Sequence, residues 1–243
     1  MIVLLTDFGE SEFVGMMKGA ILSINPDIQV LDLTHSITPQ SVREGAWVLL
    51  QSYKAFPKGA IFVCVVDPGV GTARNAVHVK TENYSFIGPD NGLMYPAASS
   101  DEIRIVNVLR IDKEAAPTFH GRDVFAKAAG FLSIGALSNR IVKSKSELDV
   151  PLEFRLDGRE GEVVRIDRFG NIVTNIPPTK DSQIHIVTDE LDRVIAQCKT
   201  YSDGPDDDIF AITGSAGTLE ISKKNGSAID DVEVAVGHRI LLE

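Results

Sequence analysis

Apolar runs of strand length alternate with longer mixed segments through the first part of the chain. IVLLT (2–6) is apolar at almost every position, the pattern of a strand buried on both faces. FVGMMKGAILSIN (13–25) has apolar residues at helical spacing and stops at Pro26. IQVLDLT (28–34) predicts a second strand. VREGAWVLLQSYKAF (42–56) predicts a helix that ends before Pro57, and AIFVCVVD (60–67) a third, fully apolar strand. AVHVKT (76–81) and YSFIGP (84–89) predict two more strands, and DVFAKAAGFLSIG (123–135) a helix that stops at Gly135. This βαβαβ alternation implies a mostly parallel sheet with helices on both faces.

The pattern changes after Lys143. KSKSELDVPLEF is polar, contains a proline and reads as a linker. Beyond it the runs EGEVVRIDRFGNIVTNI, QIHIVTDE, VIAQCKTY, DIFAITGS, GTLEISKK and HRILLE are short, β-branched and separated by turn residues, with no good helix among them. The expected organisation is an α/β domain over 1–145, a linker over 146–159 and an all-β domain, sandwich or barrel, over 160–243.

Composition narrows the classes. With 243 residues, 44% of them apolar, the chain can bury a real core. Its net charge of -10 argues against wrapping nucleic acid or lying on an anionic membrane, since both favour basic surface. Cys64 and Cys198 make neither a zinc spacing nor a disulfide framework. Cys64 reads as a small core residue, and a reducing cytoplasm is the expected location. The first residues, MIVLLTDFG, lack a basic leader and read as a buried strand, and no run approaches the ~20 apolar residues of a membrane helix.

Chemistry-bearing residues gather at predicted strand ends, where open α/β sheets bind ligands. Asp7 ends the first strand, Asp32 lies in the second just before His35, and Asp67 ends the third. Each acid alone could cap a turn; three together point to a shared site. Asp7-Phe8-Gly9 is not the kinase tripeptide, because nothing upstream supplies the companion motifs. VVDPGVGTAR (65–74) looks at first like a phosphate loop, yet it has no lysine, and Asp67 would repel phosphate. It reads better as a glycine turn that presents Asp67 and Arg74 and lets a ligand come close.

Further candidates follow. GPDNG (88–92) puts Asp90 and Asn91 in a turn that could be purely structural. TFHGRD (118–123) places His120, Arg122 and Asp123 before a helix that Asp123 could simply cap. His35 and His120 lack a third partner at metal-ligand spacing. DRFGN (167–171) offers an exposed Phe169 to stack on a planar ring and Asn171 to hydrogen-bond its edge. GSAG (214–217) offers backbone N–H groups and the Ser215 hydroxyl to a carboxylate. YSDGPDDD (201–208) reads as a solvated acidic loop.

TDFG-x(4)-VG, DLTH, VVDPGVGT-x-R, GPDNG, TFHGRD-x-FA, D-x-FGN-x-x-TN and GS-x-G-x-L-x-I occur here in this order. Together they closely resemble the S-adenosyl-L-methionine hydrolase (adenosine-forming) family, also called SAM hydroxide adenosyltransferase, which is related to bacterial fluorinase and chlorinase. The resemblance spans nearly the whole chain. It implies an N-terminal α/β domain, a C-terminal barrel-like domain and a homotrimer. It also implies active sites between the first domain of one subunit and the second of its neighbour. The implied reaction is S-adenosylmethionine plus water giving adenosine plus methionine, without metal or organic cofactor. By the same resemblance Asp67, Arg74 and His120 form the catalytic set and Asp7 binds ribose. Asp167 holds the methionine ammonium, Phe169 and Asn171 contact adenine, Ser215 binds methionine, and backbone near Asn225 contacts adenine.

The halogenating relatives carry a tyrosine where this chain has Asp67, and an arginine where it has Ala216. Two alternatives accompany the hydrolase reading: a halogenase forming 5′-halo-adenosine, and a non-catalytic protein that binds adenosine or S-adenosylmethionine. Chemistry favours the hydrolase. The sulfonium makes carbon 5′ electrophilic and methionine leaves as a neutral thioether, so no acid is needed at the leaving group. Water, unlike halide, must lose a proton, and a polar set such as Asp67, Arg74 and His120 serves that need. Which residue takes the proton stays open at this level.

Overall fold

The computed structural model describes residues 1–243. The chain divides into two compact units, Met1–Leu152 and Glu153–Glu243. The first is α/β and the second is a closed all-β barrel, as the hydrophobic pattern predicts.

The first unit is built on strands β1 (Ile2–Thr6), β2 (Val30–Thr34), β3 (Ile61–Val65), β4 (Ala76–Thr81), β5 (Ser85–Pro89), β6 (Ile103–Leu109) and β7 (Ile141–Lys145). They form one sheet in the order β2-β1-β3-β5-β4-β6-β7. β2, β1, β3 and β5 run parallel, whereas β4, β6 and β7 add three antiparallel pairings. The parallel character is therefore confined to one half. The reason is local: only Glu82, Asn83 and Tyr84 separate β4 from β5, which is too short for a crossover and long enough for a hairpin. β6 and β7 lie outside the elements read from the sequence.

Helices α1 (Glu12–Leu22), α2 (Val42–Ser52), α3 (Tyr95–Ser100) and α4 (Lys127–Ser133) cover the sheet. Alternation along the strands explains the two-sided core. Ile2, Leu4, Ile61, Val63 and Val65 share one cluster with Met17 and Ile21 of α1 and Ala128 and Ala129 of α4. Phe62, one residue out of phase, packs on Tyr84 and Phe86, and Phe86 meets Tyr53 just after α2. Full burial of each such large side chain contributes roughly 1.5–3 kcal/mol. The helix expected over 123–135 begins earlier, as a π-helical turn over Gly121–Ala126 that runs into α4. Such turns accommodate an extra residue and are frequent at functional sites.

The second unit comprises β8 (Glu160–Ile166), β9 (Ile172–Thr174), β10 (Gln183–Val187), β11 (Asp192–Cys198), β12 (Ile209–Thr213), β13 (Leu219–Lys223) and β14 (Arg239–Leu242). They close in the order β10-β11-β12-β13-β9-β8-β14, with β14 also pairing β10. Val163, Ile172, Ile184, Ile195, Ile209, Ile221 and Ile240 fill the interior. No helix in the chain is long and apolar enough to cross a membrane.

Candidate active site

The carboxyl ends of β1 and β3 deliver Asp7 and Asp67 to one cavity of about 430 Å³. Phe8, Phe13, Gln40, Val70, Phe119 and His120 are among its other walls. The glycine turn after β3 is held by Val70 N–H on the Asp67 carbonyl and by Thr72, whose amide and hydroxyl both donate to the Gly69 carbonyl. Gly71 has φ +78, and a Cβ there would lie 2.7 Å from the Pro117 carbonyl oxygen. The loop before His120 is thus packed directly on the turn after Asp67, which only glycine permits.

That packing brings the catalytic candidates together. Arg74 folds back, donating from Nε to Asp67 Oδ1 at 3.0 Å and from Nη2 to Asp67 Oδ2. Both side chains are largely buried. A forked pair of this kind is worth more than a single point contact because both donors meet both oxygens. Arg74 Nη2 also lies 2.9 Å from His120 Nδ1, and its guanidinium sits 5.3 Å from the centre of the Phe125 ring. The third nitrogen, Nη1, is buried without a partner. An arginine has no acceptor, so His120 Nδ1 receives this bond and the ring carries its hydrogen on Nε2. Burial, reinforced by the Arg74 charge, holds the His120 pKa below its ordinary value, against the opposing pull of Asp67 and Asp123. The neutral ring is therefore the resting form at neutral pH.

Asp7 accepts the Gln40 amide through Oδ2 at 2.8 Å, which ties its carboxylate to the loop after β2. Asp32 does not join Asp7 and Asp67. It takes Lys18 of α1 at 2.6 Å and lies 3.0 Å from His35 Nε2, outside the cavity wall. His35 Nδ1 meets Thr6 Oγ1 at 2.9 Å, and the same Thr6 oxygen accepts the Phe8 amide, so His35 braces the Asp7 turn. Asn91 donates to the carbonyl of Val66, the residue before Asp67, and buried Asp90 takes Lys145 and the Asp149 amide. GPDNG is thus a brace at the end of β3. Asp123 does not cap its own helix: it accepts the Ala116 amide and the Arg122 guanidinium, fixing the loop that leads to His120.

In the second unit Phe169, Asn171 and Asn225 line one cavity of about 960 Å³. Phe169 is 65% exposed, and the Arg168 guanidinium rests 5.2 Å from its ring centre. Asp167 organises that turn: Oδ1 accepts the Phe169 and Asn171 amides and Oδ2 accepts Asn171 Nδ2. Oδ1 is thereby filled, and Oδ2 keeps one lone pair free. Asn225 has φ +54, so its backbone turns at the cavity wall. Ser215 is exposed on the turn between β12 and β13 and is not part of that wall. Tyr201, absent from the residues singled out in the sequence, is the second aromatic side chain of this cavity. Its position within the acidic loop YSDGPDDD masked it; the signal was one aromatic among turn residues.

Comparison with known proteins points to one family over both units. The model of the SAM hydroxide adenosyltransferase N-terminal domain matches residues 2–141, and that of the C-terminal domain matches 161–241. A Thermus thermophilus protein named (R)-S-adenosyl-L-methionine hydrolase is 34% identical over 98% of this chain and 97% of its own. A fluorinase from an Actinoplanes species is 27% identical over 73% of this chain and 72% of its own. A crystal structure of an uncharacterized conserved protein from Thermotoga maritima superposes with a TM-score of 0.88 at 32% identity, covering all of both chains.

Proposed function

The chain belongs to the SAM hydroxide adenosyltransferase family, and on that premise we propose how its own residues carry the hydrolysis of S-adenosyl-L-methionine to adenosine and L-methionine. The observation that supports the reading most is the single guanidinium of Arg74 joined to both Asp67 and His120 beside the cavity. Water attacks ribose carbon 5′ in line with the carbon–sulfur bond. The bond breaks with its electron pair going to sulfur, methionine departs as a neutral thioether, and one proton of the water must be removed. With Nδ1 occupied by Arg74, the His120 ring offers an Nε2 hydrogen to the water oxygen. Asp67 keeps lone pairs beyond those used by Arg74 and is the acceptor for the proton. Arg74 aligns both and offsets the charge of the developing hydroxide. Holding the water in line contributes several kcal/mol by itself, as an order of magnitude.

Asp7 accepts the two ribose hydroxyls, Phe169 stacks on adenine, and Asn171 and the Asn225 backbone meet its edge. Asp167 holds the methionine ammonium through the lone pair left on Oδ2, and Ser215 meets the methionine carboxylate. We further infer a homotrimer, in which the first unit of one copy and the second unit of its neighbour share each site. The enzyme then acts in the cytoplasm on a small-molecule substrate, with no metal or organic cofactor. The halogenase reading fits less well, because a carboxylate at position 67 repels a halide. Incubation of purified protein with S-adenosylmethionine tests the proposal. Adenosine and methionine should appear in equal amounts; folded protein that binds the substrate but releases no adenosine would refute it.

A further inference from the structure

Glu220 occupies a costly position. It lies on β13 between Leu219 and Ile221, which point into the barrel interior, and so faces the other side of the wall. It is nonetheless 6% exposed. A buried carboxylate costs several kcal/mol in order of magnitude unless partnered, and an aliphatic residue would serve the wall better. Its carboxyl lies hard against the GSAG turn: a Cβ on Gly214 would fall 1.7 Å from Glu220 Oε1. The other oxygen, Oε2, accepts the Tyr201 hydroxyl at 3.1 Å.

Tyr201 is half-exposed and opens a short 3₁₀ turn over Tyr201–Asp203. That turn is closed by reciprocal bonds between Thr200 and Asp203, which fix its backbone and leave the ring to be held by something else. Burial and the nearby Glu220 charge push the Tyr201 hydroxyl up to about 12, so it keeps its proton and stays a donor. Tyr201 and Phe169 are the two aromatic walls of the cavity that also holds Asn171 and Asn225. An exposed ring that must order on ligand binding forfeits affinity; one already held does not.

We propose that Glu220 is a positioning residue for ligand binding, anchored in the barrel wall and holding the Tyr201 ring in place for a planar purine without touching the ligand itself. The inference rests on the reading of this cavity as the adenosine subsite. Adenosine titration by calorimetry, alongside KM and kcat for S-adenosylmethionine, tests it in wild type, Tyr201→Phe, Glu220→Leu, Glu220→Gln and the double variant Y201F/E220L. Tyr201→Phe and Glu220→Leu should each weaken adenosine roughly 2- to 10-fold and raise KM in the same ratio with kcat unchanged. Glu220→Gln, whose amide oxygen still accepts the hydroxyl, should bind like wild type. The double variant should be no weaker than either single one. Unchanged affinity in Tyr201→Phe, additive losses in the double variant, or a Gln variant as weak as the Leu variant would each overturn the proposal. If Glu220→Leu fails to fold, Tyr201→Phe and Glu220→Gln still decide. A wild type that binds no adenosine would overturn the cavity reading along with it; normal wild-type binding with an indifferent Tyr201→Phe overturns the Glu220 role alone.

Discussion

Arg74 Nη2 stands 2.9 Å from His120 Nδ1, and the donor can only be the arginine. The pair therefore sets the histidine tautomer, with the ring hydrogen on Nε2, the nitrogen that the proposed mechanism turns toward the attacking water. It also sets a pH limit. Protonation of His120 would put a hydrogen on Nδ1, facing a guanidinium that has only donors.

The pH profile of kcat/KM should show this. Burial and Arg74 hold the His120 pKa below the ordinary value of 6.5. The midpoint of the acid limb should therefore lie below 6.5, with activity falling roughly one decade per unit on its acid side. A histidine limb centred above 6.5, absent in His120→Gln, would contradict the arrangement.

Asp67→Asn keeps the size of the side chain and removes its basicity. We expect kcat to fall by roughly 10²- to 10⁴-fold with adenosine affinity near that of wild type. Product release by chromatography and adenosine titration measure the two quantities separately. Full turnover in this variant would remove Asp67 from the proton transfer.

Gly71→Ala should cost more stability than Gly9→Ala. Both positions have positive φ, +78 and +62, but a Cβ meets nothing within 4 Å at Gly9 and the Pro117 carbonyl at 2.7 Å at Gly71. The left-handed penalty alone is about 1–2 kcal/mol at each. Gly71→Ala adds displacement of the loop that leads to His120, so it should lose activity as well. Thermal melts and turnover of the two variants give the comparison; equal melts would deny the close packing.

His78 predicts acid sensitivity unrelated to catalysis. It is buried in the sheet, accepting Asn107 Nδ2 at Nδ1 and meeting Ser85 Oγ at 3.2 Å, and burial lowers its pKa to about 4. Above pH 6.5 both folded and unfolded chains hold it neutral. Between 6.5 and 4 the unfolded chain takes up a proton that the folded chain refuses, so stability falls as pH falls, by up to about 3 kcal/mol. His78→Gln should flatten that part of the curve. Denaturant melts of both proteins across this window should converge at the acid end; parallel curves would refute the assignment.

Much of the scaffold is legible from local pattern. β4 forms over the residues its alternation predicts, Ala76–Thr81, and the runs after residue 160 become the strands of the barrel. Strand direction is another matter. Nothing local to AVHVKT says that it pairs antiparallel to β5 and β6; the short connection at Glu82–Tyr84 and the far strand Ile103–Leu109 impose it. The site divides in the same way. DPG and FHG each suggest a functional turn, but their approach depends on Pro117 packing over Gly71, a contact between residues 46 positions apart in the chain. Asp32 shows the converse, an acid within β2 that pairs with Lys18 of α1 and does not line the cavity.

By itself the sequence determined two things: an α/β unit followed by a β unit, through the period of its apolar residues, and a set of side chains suited to hydrolysis, through motifs short enough to be read as turns. Only the tertiary structure decided which of those side chains share a guanidinium, that Asp123 and Asn91 brace loops, and that Tyr201 and Glu220 belong together. Periodicity records the face on which a residue is buried, and burial is averaged over many neighbours. A hydrogen bond between two particular atoms depends on how distant segments meet, which no local pattern encodes.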